Sequence, residues 1–277
     1  MKTVINSLIS FVKKHWAEIL VTICILACII TILAYWINFR HEKISNLTAN
    51  WGTFGDYTGG IMGTIISFFS IVLIYATYKN QVDNSLLQQF ETTFFNLLNN
   101  QRAILTSLKG EFRQDILLDD SIEANGEDYM VNIGRLINRY FDGGHNYIFT
   151  ENNIEVKRDS DDILELEQIV NGRYKSVFKG REGELGHYFR HLYHIFKYVH
   201  ESKITDKKKY IDLIQAQMSD YELYVLLYNS LSDYGKTKFK PMLIEYVFFE
   251  NVRSRGPLFD KHKRAFFPQI EFKFNAE

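Results

Sequence analysis

Two long apolar runs without a single Asp, Glu, Lys or Arg, Ile19 to Ile37 and Gly59 to Tyr78, constrain this chain more than any other feature. At 1.5 Å per residue, a helix over either run is about 28 to 30 Å long, matching the hydrocarbon core of a bilayer. The pair predicts transmembrane helices at 19–37 and 59–78, with a segment 1–18 before them, a short loop 38–58 between them and a large remainder 79–277 after them. A cleaved signal fits the first run poorly, because it is long and ends in Tyr35, Trp36 and Phe39 without a small-residue cleavage site. Aromatic residues mark both borders of the pair, Trp16 and Tyr78 at one and Tyr35, Trp36, Trp51, Phe54 and Tyr57 at the other.

Orientation follows from Lys and Arg near the span ends. Lys2, Lys13, Lys14 and Lys79 lie on the side of the termini, and only Arg40 and Lys43 lie in the loop. This excess places both termini and the remainder in the cytoplasm and the loop outside, in a multi-pass protein.

The net charge of −1 hides an asymmetry. Glu111 to Glu167 holds fifteen acidic and five basic residues, whereas Lys236 to Arg264 holds eight basic and three acidic. Pairing of the two segments, within the fold or between subunits, accounts for this more simply than a nucleic-acid groove does. The two cysteines, Cys24 and Cys28, both lie in the first span, where thiols act as small apolar groups, so neither a structural disulfide nor a zinc site is expected.

The remainder reads as all-α. From Asn80 to about Leu108 an apolar stripe through Leu86, Leu87, Phe90, Phe94, Phe95, Leu97, Leu98, Ile104 and Leu105 continues the second span as a helix. Gly126 and Gly143-Gly144 bracket a helical segment over Tyr129–Phe141, and Tyr147 to Lys157 permits a small β-hairpin. Asp159, Asp161 and Asp162 suit the first turn of a helix, where carboxylates meet free amides and the positive end of the dipole. Leu185, Tyr188, Phe189, Leu192, Tyr193, Phe196 and Val199 fall on one helical face. A helix from about Asp206 through Met218 precedes a capping box at Ser219 and Glu222, which opens a helix through Leu231 that Gly235 ends. Pro241 suits the start of another helix, through Val252.

Candidate chemistry is sparse. His187, His191 and His194 share a helical face, but Arg190 and Lys197 crowd it and no HExxH carboxylate accompanies them, so a polar surface or subunit contact is the better reading. An Arg followed after a few residues by His, the signature of helical HEPN ribonucleases, occurs as Arg139/His145, Arg181/His187 and Arg255/His262. With twelve Arg and eight His in the chain, about one such match is expected by chance, so three are a weak excess. Gly59-Gly60-Ile61-Met62-Gly63 has no Lys to reach a phosphate; Gly59, Gly63 and Ser67 form instead a stripe on which a second helix can pack closely, in this chain or in another subunit. Arg253, Arg255, Lys261, Lys263 and Arg264, interleaved with Phe259, Phe266 and Phe267, suit an acidic surface of the same fold, anionic headgroups or RNA. No catalytic residue and no cofactor motif stands out.

Trp51-Gly52-Thr53-Phe54-Gly55-Asp56-Tyr57-Thr58-Gly59-Gly60 leading into the second span, then Phe90-Glu91 and Phe94-Phe95-Asn96-Leu97-Leu98, form the first two blocks of an ordered set. Tyr188-Phe189-Arg190-His191-Leu192-Tyr193, Ala216-Gln217-Met218-Ser219-Asp220-Tyr221-Glu222 and Tyr228-Asn229 complete it. These blocks resemble the AbiC-like phage abortive infection proteins of bacterial membranes. The resemblance implies an anti-phage effector of the cell inner membrane and brings no catalytic residues with it. Similar two-span proteins serve retron defence systems, in which a reverse transcriptase and its RNA–DNA product restrain the effector. The expected partners are therefore membrane lipids, further copies of the chain, such a reverse transcriptase and a phage trigger. The expected action is membrane disruption; the alternative is a membrane-tethered, HEPN-like ribonuclease.

Overall fold

A computed structural model of the chain describes residues 2–41, 43–113, 121–141 and 159–274. These residues form nine helices and one two-stranded sheet, so the all-α class holds. The chain divides into two compact units, Met1–Gln89 and Phe90–Glu277.

The first unit is a helical hairpin. Helix α1 spans Lys2–Phe39, with non-helical backbone at His15 (φ −113°, ψ 19°). His15 Nδ1 meets Glu18 Oε2 at 2.9 Å, and from His15 to Phe39 the helix is long and apolar enough to cross a membrane. Helix α2 spans Thr48–Ser107, 60 residues with no proline, and passes the same test. It starts eleven residues before Gly59, so most of what reads as loop in the sequence is helix. The segment Thr48–Thr58 contains no helix breaker besides Gly52 and Gly55, and Thr53 and Thr58 return their hydroxyls to the carbonyls of Ala49 and Phe54.

The second unit begins with the last part of α2, which buries Phe90, Phe94, Leu98, Gln101 and Leu105 on one face. The apolar spacing of the sequence accounts for that face. Strands β1 (Lys109–Arg113) and β2 (Ser121–Asn125) follow and pair antiparallel, with Glu111 opposite Glu123. The hairpin expected over 147–157 lies outside the described residues, whereas this one falls where the sequence shows mostly charge. Phe112 and Ala124 hold it to the core. A Cβ at Gly110 would come within 2.9 Å of the Tyr129 ring, so glycine lets that ring cover the strand.

Six helices complete the described part of the unit up to residue 245: α3 (Glu127–Phe141), α4 (Ile163–Phe178), α5 (Glu182–Glu201), α6 (Lys207–Ala216), α7 (Asp220–Leu231) and α8 (Phe239–Glu245). Gly126, at φ +57°, makes the turn into α3 and donates its amide to Leu108 O at 2.9 Å. Asp162 caps α4 by accepting from the amides of Leu164 and Glu165, and Asp206 caps α6. The Ser219–Glu222 capping box opens α7 as expected. Residues Glu222 through Leu231 are all buried, which makes α7 the central helix of the unit. The helix from Pro241 stops at Glu245 rather than Val252, because Val247 takes a positive φ of 52° that a continuing helix excludes. A further helix, α9 (Pro257–Phe266), has Pro257 at its first position and was not anticipated.

Candidate functional site

At the loop end of the hairpin, Tyr35 of α1 packs against Phe54 and Tyr57 of α2, with ring centroids 4.7 and 5.5 Å apart, and against Phe39 at 4.6 Å. The aromatic border inferred from the sequence is thus a physical cluster. Away from it, α2 half-buries a side running through Phe54, Thr58, Met62, Ile65 and Phe69. The small-residue stripe is elsewhere on the helix: nothing lies within 4 Å of a Cβ built at Gly59 or Gly63, and Ser67 is exposed. Within a single chain the stripe is an open face, as are Gly55 and the exposed Asp56.

In the second unit several polar positions of the resemblance blocks, Glu91, His191, Glu222 and Asn229, make contacts between helices. Glu91 of α2 accepts from the Tyr210 hydroxyl of α6 at 2.6 Å, and Phe90 stacks on Tyr198 with ring centroids 5.1 Å apart and meets the edge of Tyr210 at 5.0 Å. Phe94 is fully buried, while Phe95 is half exposed. Gln101 of α2 donates to the Tyr188 carbonyl of α5 at 3.4 Å and accepts from His191 Nδ1 at 2.8 Å. Because an amide oxygen only accepts, this contact places the His191 proton on Nδ1. Burial, and then the neighbouring His187 and His194, lower the His191 pKa. The Tyr188 hydroxyl donates to Glu222 of α7, and Asn229, about two turns further along α7, donates to the Tyr174 hydroxyl of α4 at 3.1 Å. Burial raises the pKa of Tyr188 and Tyr174 and pushes Tyr210 up to about 12, so these groups are neutral donors or acceptors at physiological pH. Arg190 and Gln217 are exposed.

These contacts form a polar relay that ties α2 to α5 and α6, α5 to α7, and α7 to α4. Gln101 and the tyrosines Tyr174 and Tyr210 were not singled out in the sequence. Gln101 carries the clearest missed signal, a polar residue set between Leu98 and Leu105 on an otherwise apolar face.

The Arg and His pairs end in dissimilar places. Arg181 precedes α5, stacks its guanidinium 5.2 Å from the Phe112 ring centre and donates to Val177 O, while His187 is exposed on α5. Arg255 lies 3.9 Å from the centre of the Tyr221 ring and 4.9 Å from that of Tyr224. His262 is fully buried on α9, where Nδ1 meets the Tyr228 hydroxyl at 2.9 Å and burial holds its pKa down to about 4. Arg139 is exposed on α3, and His145 lies outside the described residues. Of the histidines His187, His191 and His194 on α5, His187 and His194 are exposed; among the described residues no group of three or more His, Cys, Asp or Glu side chains is placed to hold a metal ion.

Several cations of the basic carboxyl segment are paired within the fold, although Lys236, Lys238, Arg253 and Arg264 stay exposed. Lys261 Nζ contacts Asp159 at 2.7 Å and Asp161 at 2.8 Å, which fills the acidic cluster before α4 with an ammonium group. Lys236 pairs with Glu167, and Arg253 with Asp220 at 3.4 Å. Lys263, read in the sequence as part of an interleaved surface, is 0% exposed: its Nζ meets Asp260 at 2.7 Å and donates to Phe274 O at 2.9 Å. Lys236 and Lys261 thus join the basic segment to the acidic one within the fold, whereas Arg253 and Lys263 find carboxylates outside it.

Residues 180–255 match the family model described as putative phage abortive infection protein. The matched stretch holds α5 through α8, including Tyr188, His191, Glu222 and Asn229 of the relay. No curated protein and no solved structure matches the chain.

Proposed function

We propose that this chain is an inner-membrane effector of anti-phage defence that disrupts the membrane and causes abortive infection when a phage-derived trigger reaches its helical unit. The family match over 180–255 supports the defence role. The membrane role is supported by two helices of sufficient length and apolarity, and the lysines grouped on the side of the termini support a cytoplasmic position for both ends.

One observation carries the mechanism. Helix α2 runs from Thr48 to Ser107 without a break in its helical assignment, so the uncharged run Gly59 to Tyr78 and the buried face Phe90 to Leu105 belong to one helix. A change in how α5, α6 and α7 pack on that face acts on the helix that also carries the uncharged run, and a buried polar relay favours discrete alternative packings over gradual deformation. The open stripe of Gly59, Gly63 and Ser67 gives further copies of the chain a surface on which to assemble. This action requires no covalent chemistry. A reverse transcriptase with its RNA–DNA product, the partner class implied by the resemblance to retron effectors, would act by holding the inactive packing.

The test follows membrane potential, uptake of a membrane-impermeant dye and RNA integrity in one culture after induction of the full chain and phage challenge. Depolarisation and dye uptake with intact RNA are expected. RNA breakage preceding any loss of potential would replace this reading with the ribonuclease.

A further inference from the structure

We propose that the loop end of the α1–α2 hairpin holds one anionic phospholipid, its phosphate at Lys43 and an acyl chain along the neighbouring aromatic wall. The proposal rests on the membrane placement given above. A cavity of about 890 Å³ opens at this end of the hairpin, within the size range of small-molecule sites. Tyr35, Trp36, Phe39, Trp51, Phe54 and Tyr57 form its wall, and Lys43 is the one charged side chain among its described lining residues.

The mouth of the cavity is a built structure. Trp51 Nε1 donates to the Ser45 carbonyl at 2.9 Å, and the Ser45 hydroxyl accepts from the Leu47 amide at 3.1 Å and from Asn50 Nδ2 at 2.8 Å. Ser45 thereby holds the turn against the start of α2, while Tyr35 fixes the facing wall through its contacts with Phe54 and Tyr57. Tyr35 and Trp36 close the apolar run of α1, so one side of the cavity continues into acyl-chain territory and the other reaches headgroup depth.

Charge selects the occupant. A lysine ammonium is a compact point charge suited to a phosphate. A zwitterionic lipid brings its own cation to the same mouth, and the ammonium of Lys43 opposes a cation held by the aromatic rings. An anionic lipid meets neither penalty. It is also present at high local concentration wherever the cavity opens to the bilayer, unlike a soluble ligand. Once seated, it sets the spacing of α1 and α2 at this end, so its capture or release is linked to repacking of the hairpin.

The test uses the full chain carrying Trp16→Phe, which leaves Trp36 and Trp51, both in the cavity wall, as the only tryptophans. The protein is reconstituted in phosphatidylcholine vesicles containing a small fraction of either acyl-brominated phosphatidylglycerol or acyl-brominated phosphatidylcholine, and tryptophan quenching is compared. Phosphatidylglycerol is expected to be preferred about fivefold, the effect of one lysine at an anionic surface. Lys43→Ala should abolish the preference and Lys43→Arg should retain it. Equal quenching by the two lipids overturns the lipid site and leaves membrane insertion standing. Absence of quenching by both overturns insertion and the site with it. A preference unchanged in Lys43→Ala overturns the assignment of the phosphate to Lys43.

Discussion

The carboxylate of Glu222 is shared between two tasks, since Oε1 accepts the Tyr188 hydroxyl of α5 while Oε2 accepts the Ser219 amide at 2.8 Å and closes the capping box of α7. One side chain thus sets both where the central helix begins and how α5 lies on it. Glu222→Ala should leave the buried Tyr188 hydroxyl unpaired and remove one arm of the box, at a cost of about 2 to 4 kcal/mol from the two losses together. Tyr188→Phe retains the box and should cost about 1 to 3 kcal/mol for the carboxylate oxygen left without its donor. The double variant should be less destabilised than the sum, because both changes remove the same hydrogen bond. Melting of the detergent-solubilised full chain, followed by circular dichroism, measures this; simple additivity would show that the two residues are not coupled.

His262 makes stability depend on pH. Its folded pKa is lowered to about 4, against an ordinary value near 6.5, because burial disfavours the imidazolium. Above pH 6.5 both folded and unfolded forms are neutral and the fold keeps its full stability. As pH falls from 6.5 towards 4 the unfolded chain takes up a proton that the folded chain refuses, so stability falls by roughly 3 kcal/mol across that window. His262→Phe should flatten this slope while remaining compatible with the surrounding Phe141, Tyr228 and Phe266 rings. His191, also lowered, contributes in the same direction in both proteins and cancels from the comparison. An identical slope for parent and variant would refute the assignment.

The sequence carried the long elements and the apolar faces because both follow from local spacing. The uncharged runs, the stripe Leu185 to Val199 and the Ser219–Glu222 box are each legible within a few turns of helix, and each has its place in the fold. What escaped depended on partners distant in the chain. Lys109, Glu111 and Arg113 gave β1 no strand signature; Phe112 reaches the core only because Tyr129, seventeen residues on, packs against it. Lys263 reads in the sequence as one of a set of cations for an acidic surface, headgroups or RNA, whereas Asp260, one helical turn away, and the carbonyl of Phe274 enclose it. Gly256-Pro257 was a readable start for α9, since proline at the first helical position forfeits no hydrogen bond.

Lys263 and Asp260 are 0% and 2% exposed, so removal of either partner strands a charge in the core. Lys263→Met should destabilise the second unit by about 3 to 5 kcal/mol. It should also free the segment after Phe267, because the Phe274 carbonyl loses its donor. The pair Lys263→Met with Asp260→Asn should recover most of the stability. Melting and the rate of tryptic cleavage at Lys273 report the two effects separately; a single variant as stable as the parent would mean that the charge is not enclosed.

Two glycines on packed and open faces should respond oppositely. A Cβ at Gly134 would come within 2.4 Å of the Tyr221 ring, so Gly134→Ala should overpack α3 against α7 at a cost of about 1 to 3 kcal/mol. Nothing lies within 4 Å at Gly63, so Gly63→Leu should leave the monomer's melting unchanged and separate chains that approach along the stripe. Loss of crosslinking between copies, together with loss of protection against phage, is the expected result for Gly63→Leu. Unchanged crosslinking and protection would reject assembly through this face.

The last prediction separates membrane disruption from ribonuclease action without disturbing the core. His262 is unsuited to that purpose, because a change there alters a buried aromatic nest. His187 is exposed on α5 and can be replaced without a packing cost; Arg181 makes a stacking contact with Phe112, so its substitution needs a melting control. His187→Ala, alone and combined with Arg181→Ala, should leave growth arrest and dye uptake within about twofold of the parent, since a packing change needs no proton transfer. In a ribonuclease, removal of a general acid or base should lower the rate by about 100-fold or more. Toxicity lost in a normally melting His187→Ala protein, with RNA preserved where the parent degrades it, would decide for the nuclease.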